Sequence, residues 1–168
     1  MSEMYDFGDG AGVVPAHRHA NGGGWVAETA SVDSSAVISE RAQVYGDARV
    51  YDKAQVYDDA RVYGDAQVRD KAQIYGDARV YDDAMIFEEA WVYGKAQVYG
   101  SAWVYGKAQI SEGAQVYKEA RVGGRVLVFG NAVVYGEVQI FGSTWIYGDA
   151  VIFGDASGGG SNCGSGGR

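Results

Sequence analysis

"QVYGDARVYDKAQVYDDARVYGDAQV", residues 43–68, restates one six-residue phrase with small edits. Its phase holds far beyond this stretch. Stepping by six from Val26 to Ile152 gives 22 positions, and each is Val or Ile. Two residues before the next such position, from Ala30 to Ala156, 19 of 22 are Ala; the exceptions are Val126, Val138 and Thr144. No insertion or deletion breaks the count.

A period of six does not match the 3.6 of an amphipathic helix. It is a multiple of two, so Ala and Val two apart face the same side of a short extended segment. Between them lie Gly, Asp, Glu, Lys and Ser, as in Gly46-Asp47 and Asp52-Lys53. Several of these are turn formers that tolerate positive φ. Each hexad therefore reads as a short strand plus a turn, with Ala and Val/Ile inward. Stacking such units buries each coil's open edges against its neighbours, which is the logic of a parallel β-helix. The fold class is all-β.

The pattern resembles the hexapeptide repeat of the left-handed parallel β-helix superfamily, whose best known members are acyltransferases. The resemblance spans residues 25–156. It implies a three-sided prism with three hexads per coil, about seven coils, no inserted loops and a left-handed crossover. At a strand spacing of roughly 4.8 Å the prism is ~35 Å long. Residues 1–24 read as an N-terminal arm or cap, and the Gly/Ser-rich 157–168 as a flexible tail.

Family catalytic parts are another matter, because fold does not give function. Acyltransferases of this type use a histidine base on or near the helix, and a related zinc-binding branch uses three histidines on its coils. This chain has no histidine after residue 19. No catalytic residue is therefore assigned, and a non-enzymatic role is expected. His17 and His19, in "PAHRHANGGGW", alternate along an extended segment and could converge on one iron or zinc ion. The competing reading is that this segment caps the first coil. Cys163, the lone cysteine, is a candidate intermolecular crosslink.

The charges exclude some partners. With 22 acidic and 14 basic residues, the net charge is −8. That argues against general nucleic-acid binding and against an anionic membrane. No apolar run approaches a bilayer span, and the N-terminus lacks a signal peptide's features, so cytoplasmic synthesis is expected. Asp47, Asp65 and Asp83 stack at one corner and read as solvated carboxylates. Lys53, Lys71, Lys107 and Arg125 occupy another, where Asp52, Asp70 and Glu88 read as their charge partners.

The residue after each inward Val/Ile points outward, and there 12 of 22 positions are Tyr and four are Phe. Three hexads per coil sort these into three columns. One is uninterrupted: Tyr45, Tyr63, Tyr81, Tyr99, Tyr117, Tyr135 and Phe153. A second is broken by Arg69 and Gly123, and the third by Ser111. Stacked rings stabilise a ladder, but a long aromatic stripe also marks an interface. The expected function is a structural or assembly protein, such as a phage decoration or fibre component resembling uncharacterised bacterial and phage hexapeptide proteins. Its expected partner is itself, as a trimer or end-to-end stack, or a larger assembly. An acyltransferase-like enzyme with an intersubunit site and a carbohydrate-binding module are the alternatives.

Overall fold

The computed structural model describes residues 2–154 and 162–164. It opens with an antiparallel hairpin, β1 (Glu3–Asp6) and β2 (Val13–Arg18), and β2 pairs antiparallel with β3 (Trp25–Ala27). From β3 onward the chain coils, and each strand pairs in parallel with the strand eighteen residues on, as Gln43↔Arg61 and Val44↔Val62 do. The strands fall into three sheets. The first holds eleven strands, among them β1 to β3, Gln43–Val44, Arg61–Val62 and Arg79–Val80. The second holds seven, from Ser31–Val32 to Gln139–Ile140, and the third seven, from Val37–Ile38 to Trp145–Ile146. No helix long and apolar enough to cross a membrane occurs among the described residues.

The inward positions are as the spacing requires. Ala36, Ala48, Ala60 and their equivalents through Ala132 have no exposure, and neither have Val44 to Val134 at the Val/Ile positions. Coils are joined by backbone hydrogen bonds in which the N–H of one residue donates to the carbonyl seventeen residues on, as Tyr45 to Val62. The core thins at the far end, where Ile146 and Ile152 are slightly exposed and Thr144 is exposed outright. Thr144 is one of the three breaks in the Ala pattern.

Each corner turns on one residue in the left-handed region. From Gly46 to Gly148 every sixth residue has positive φ, including Asp58, Asp82, Glu112 and Lys118. The two residue types solve the same problem differently. At Gly76, with φ +70°, a Cβ would lie 2.9 Å from the Gly94 nitrogen one coil on. At the acidic corners other than Glu88 the carboxylate accepts that N–H instead, as Asp58 does from Gly76 at 3.2 Å and Glu112 from Gly130 at 2.8 Å.

The two ends close differently. The N-terminal hairpin continues the first sheet and covers it with Phe7 and Ala16, both buried. At the other end Val151–Gly154 pairs antiparallel with Asn162–Gly164. Apart from those three residues, the tail expected to be flexible lies outside the described residues.

Candidate functional site

The uninterrupted column lies on the first sheet, and its rings stack face to face. Centroids from Tyr45 to Tyr117 follow one another at 4.8 to 4.9 Å, with interplanar angles of 1° to 5°. Tyr117–Tyr135 and Tyr135–Phe153 continue at 5.1 and 5.5 Å. The strand spacing sets this distance, since each ring hangs from the same position of successive coils. Stacking covers the faces, so most members are half-buried rather than openly exposed; Phe153, at the end, is 37% exposed.

The cap extends the column by one ring that periodicity did not reveal. Phe7 stacks on Tyr45 at 4.7 Å, and Tyr5 stacks on Trp25 at 4.2 Å. The signal was present in "MYDF", two aromatics at strand alternation, but it stands outside the six-residue phase.

Outward glutamines have a role that the phrase Q-V-Y encodes. The tyrosine hydroxyl donates to the glutamine carbonyl oxygen of the next coil: Tyr51 to Gln67 at 2.7 Å, Tyr57 to Gln73 at 2.8 Å, and Tyr99 to Gln115 at 3.3 Å. Burial pushes up the phenols of Tyr45, Tyr57, Tyr63, Tyr75, Tyr81 and Tyr99, and a neighbouring phenol adds to it at Tyr45, Tyr75, Tyr81 and Tyr99. Tyr81, between Tyr63 and Tyr99, is pushed up to about 12.

The breaks in the other columns are partly filled. Arg69 lays its guanidinium over Phe87 at 4.5 Å, so a cation continues the stack on the second sheet. At Gly123 the Tyr105 ring occupies the space a side chain would take. On the third sheet Tyr57, Tyr75 and Tyr93 stack at 5.0 and 4.8 Å, Ser111 is buried, and Phe129 stacks on Tyr147 at 5.5 Å.

The histidines take separate partners. His17 Nδ1 lies 3.0 Å from Glu28 Oε1, and the Ser2 hydroxyl and His17 hold that carboxyl below its usual range. His19 lies beyond the end of β2, where the chain enters the Gly22-Gly23 turn, so strand alternation no longer sets its direction. Its Nε2 donates to the Ala36 carbonyl at 3.2 Å, which Asn21 also reaches at 2.9 Å. Both contacts tie the arm to the first coil. Among the described residues of one chain, no three His, Cys, Asp or Glu side chains gather where they could hold a metal ion. The Cys163 backbone pairs opposite Ile152, and its thiol lies outside the described side chains.

The corner charges differ from the expected pairing. Asp52 and Asp70 do not neutralise Lys53 and Lys71; their carboxylates accept backbone N–H groups of the next coil, at 3.4 and 3.0 Å. Asp70 also pairs with Arg69 at 3.0 Å. A second ion pair at this corner joins Lys107 to Glu89 at 3.4 Å. The corner carboxylate sits within reach of an amide directly above it, and that short path wins over a solvated lysine.

The YdcK β-solenoid repeat model matches residues 42–53, 54–70, 72–86, 78–94 and 120–136. Over those residues the chain carries a β-solenoid repeat, in keeping with the hexapeptide repeat of the β-helix. Its three parallel sheets and seven-strand runs are those of the left-handed β-helix. Among solved structures, this β-helix is similar to the acetyltransferase domain of PglB from Neisseria gonorrhoeae FA1090, at 20% identity and a TM-score of 0.43. The match covers 82% of this chain and 56% of that one. A Bacillus cereus protein assigned as an acetyltransferase matches at 14% identity and a TM-score of 0.30, covering 79% of this chain and 75% of that one. No curated protein matches the sequence.

Proposed function

We propose that the protein is a non-enzymatic assembly element: a rigid rod whose outward aromatic columns pack against other subunits or a larger structure. The observation that carries this is the uninterrupted first-sheet column, Tyr45 to Phe153. Those rings present edges and hydroxyls along one side, the amphipathic combination favoured at protein interfaces. A sugar platform needs open ring faces, and stacking has covered them here, which favours a protein partner over a carbohydrate. A virion accessory, a decoration or fibre component, is the specific form proposed, because a stiff rod with a repeating surface suits periodic attachment.

The test is the double variant Tyr63→Ser and Tyr99→Ser. It is expected to lower the assembled mass by light scattering while the β-rich circular dichroism persists. An unchanged mass removes the first-sheet column as an interface. The acyltransferase-like alternative predicts acyl-CoA binding by calorimetry, and a clear binding isotherm would replace the assembly reading.

A further inference from the structure

The third sheet is the one face whose outward strand positions carry no charged side chain. They read Val37, Gln55, Gln73, Trp91, Gln109, Leu127 and Trp145, with Ser39, Tyr57, Tyr75, Tyr93, Ser111, Phe129 and Tyr147. The first sheet carries Arg61 and Arg79 at these positions, and the second Arg49, Arg69 and Arg121. Covering the third face therefore strands no buried charge. It also holds exposed anchors: Trp91 at 37%, Trp145 at 68% and Tyr147 at 61%.

Its two rims carry matched signs. Reading up the corner that precedes the third sheet, the second turn residues are Lys53, Lys71, Glu89, Lys107, Arg125 and Ser143. Up the corner that follows it, at the same levels, they are Asp59, Asp77, Lys95, Gly113, Asn131 and Asp149. Both rims reverse sign together at the third level, Glu89 against Lys95. At these second turn positions no level sets like charge against like; at the first turn positions one level does, Asp52 against Asp58. The same comparison puts Asp59 against Asp65 and Asp77 against Asp83 across the first sheet, and Asp83 against Glu89 across the second.

The turn carboxylates beside these tips are mostly engaged elsewhere. Asp52, Asp58, Asp70 and Glu112 accept backbone N–H groups, and Glu88 stands beside Glu89. Asp59 pairs in-chain with Arg41 at 3.2 Å, and Glu89 with Lys107. Lys53, Lys71, Asp77 and Lys95 enter no ion pair among the described residues.

We infer that the third face packs against a second copy of this chain, parallel and in register, about a rotation axis that runs along the rod. Any such axis brings the rim that precedes the sheet against the partner's rim that follows it, level by level. Lys53 then meets Asp59, Lys71 meets Asp77, and Glu89 meets Lys95 across the contact, with tryptophan and tyrosine between the rims. An antiparallel contact instead lays the lysine-rich rim on itself. This goes beyond the proposed function, which rests on the first sheet, and it commits the third to self-association.

The experiment uses the full chain and reads mass by sedimentation at ~50 and ~500 mM salt, where screening separates charge effects from apolar packing. Lys71→Glu and Asp77→Lys are each expected to weaken self-association about tenfold at low salt, since each sets like charges together across the contact. The double variant Lys71→Glu/Asp77→Lys restores the opposite-sign contact and is expected to return to within about threefold of the parent. Asp47→Lys with Asp65→Lys, on the corner between the first and second sheets, is expected to change nothing. Far-ultraviolet circular dichroism checks that every variant keeps the fold. A monomeric parent, single reversals without effect, or a double variant weaker than either single overturns the inference. The first-sheet tyrosine variant separates the two readings, because it leaves the third face intact.

Discussion

Gly76 and Asp58 occupy the same place in successive coils, and between them they define what a corner demands. The backbone must adopt positive φ, +70° and +57° respectively. The N–H of the next coil's corner must also be approached closely. Gly76→Ala is expected to cost about 1–2 kcal/mol in urea unfolding, because a Cβ in the left-handed region is strained. Its Cβ would also sit 2.9 Å from the Gly94 nitrogen. Gly76→Asp is expected to cost less, since its carboxylate can accept that N–H as Asp58 and Asp82 do. If Asp proves as damaging as Ala, the corner hydrogen bond contributes nothing.

Tyrosine titration is the second test at this scale. Tyr81 is pushed up to about 12, and Tyr45, Tyr57, Tyr63, Tyr75 and Tyr99 are also raised, in each case chiefly by burial. The unfolded chain sheds these protons near pH ~10 while the folded chain retains them. Stability from the columns is therefore complete below pH ~10 and falls as pH rises toward ~12. Absorbance at ~295 nm should show phenolate appearing late, and urea midpoints should drop between pH ~9 and ~11.5. A midpoint that holds steady through that range would contradict the linkage.

At the scale of elements, the N-terminal hairpin matters most. It covers the first coil through Phe7, which is 2% exposed and seated on Tyr45. Phe7→Ala is expected to destabilise the cap by about 3–5 kcal/mol, the usual cost of emptying a buried aromatic site. Hydrogen exchange should report the change in β1, β2 and β3 while the central coils keep their protection. Uniform loss of protection would mean that cap and coils unfold as one.

This end also shows how far sequence carries. The strands, the inward Val and Ala, and the first-sheet column were readable because each recurs at fixed phase. Phe7, the His17–Glu28 contact and the His19–Ala36 contact were not, because they join segments whose meeting depends on where a non-repeating arm folds back. Lys53 and Lys71 failed for a different reason. Adjacent opposite charges suggested pairing, while the structure offered Asp52 and Asp70 a closer amide above them. The Tyr–Gln bonds lay in plain view in Q-V-Y, but they span sixteen residues and need the coil's pitch to be seen.

At the scale of the whole molecule, the coil strands among the described residues pair with those of neighbouring coils, so the rod behaves as a one-dimensional stack. Residues 73–90 make up one full turn, from Gln73–Ile74 on the third sheet to the residue before Trp91–Val92 on the same sheet. Deleting that block is expected to give a folded protein with every column still in phase. Deleting residues 73–78 alone also keeps the Val/Ile spacing, but it moves each later strand onto the adjacent sheet. Both variants should show β-rich circular dichroism, and only the first should keep the parent's alkaline unfolding profile. Identical profiles would mean the columns contribute little.

The uninterrupted pitch makes the rod a ruler. Each additional eighteen residues would lengthen it by one strand spacing, ~4.8 Å, without re-aiming a single outward side chain. Length is thereby separated from surface chemistry. Duplication of one turn could adjust reach in steps, while the pattern on every face stays aligned with whatever periodic structure it meets.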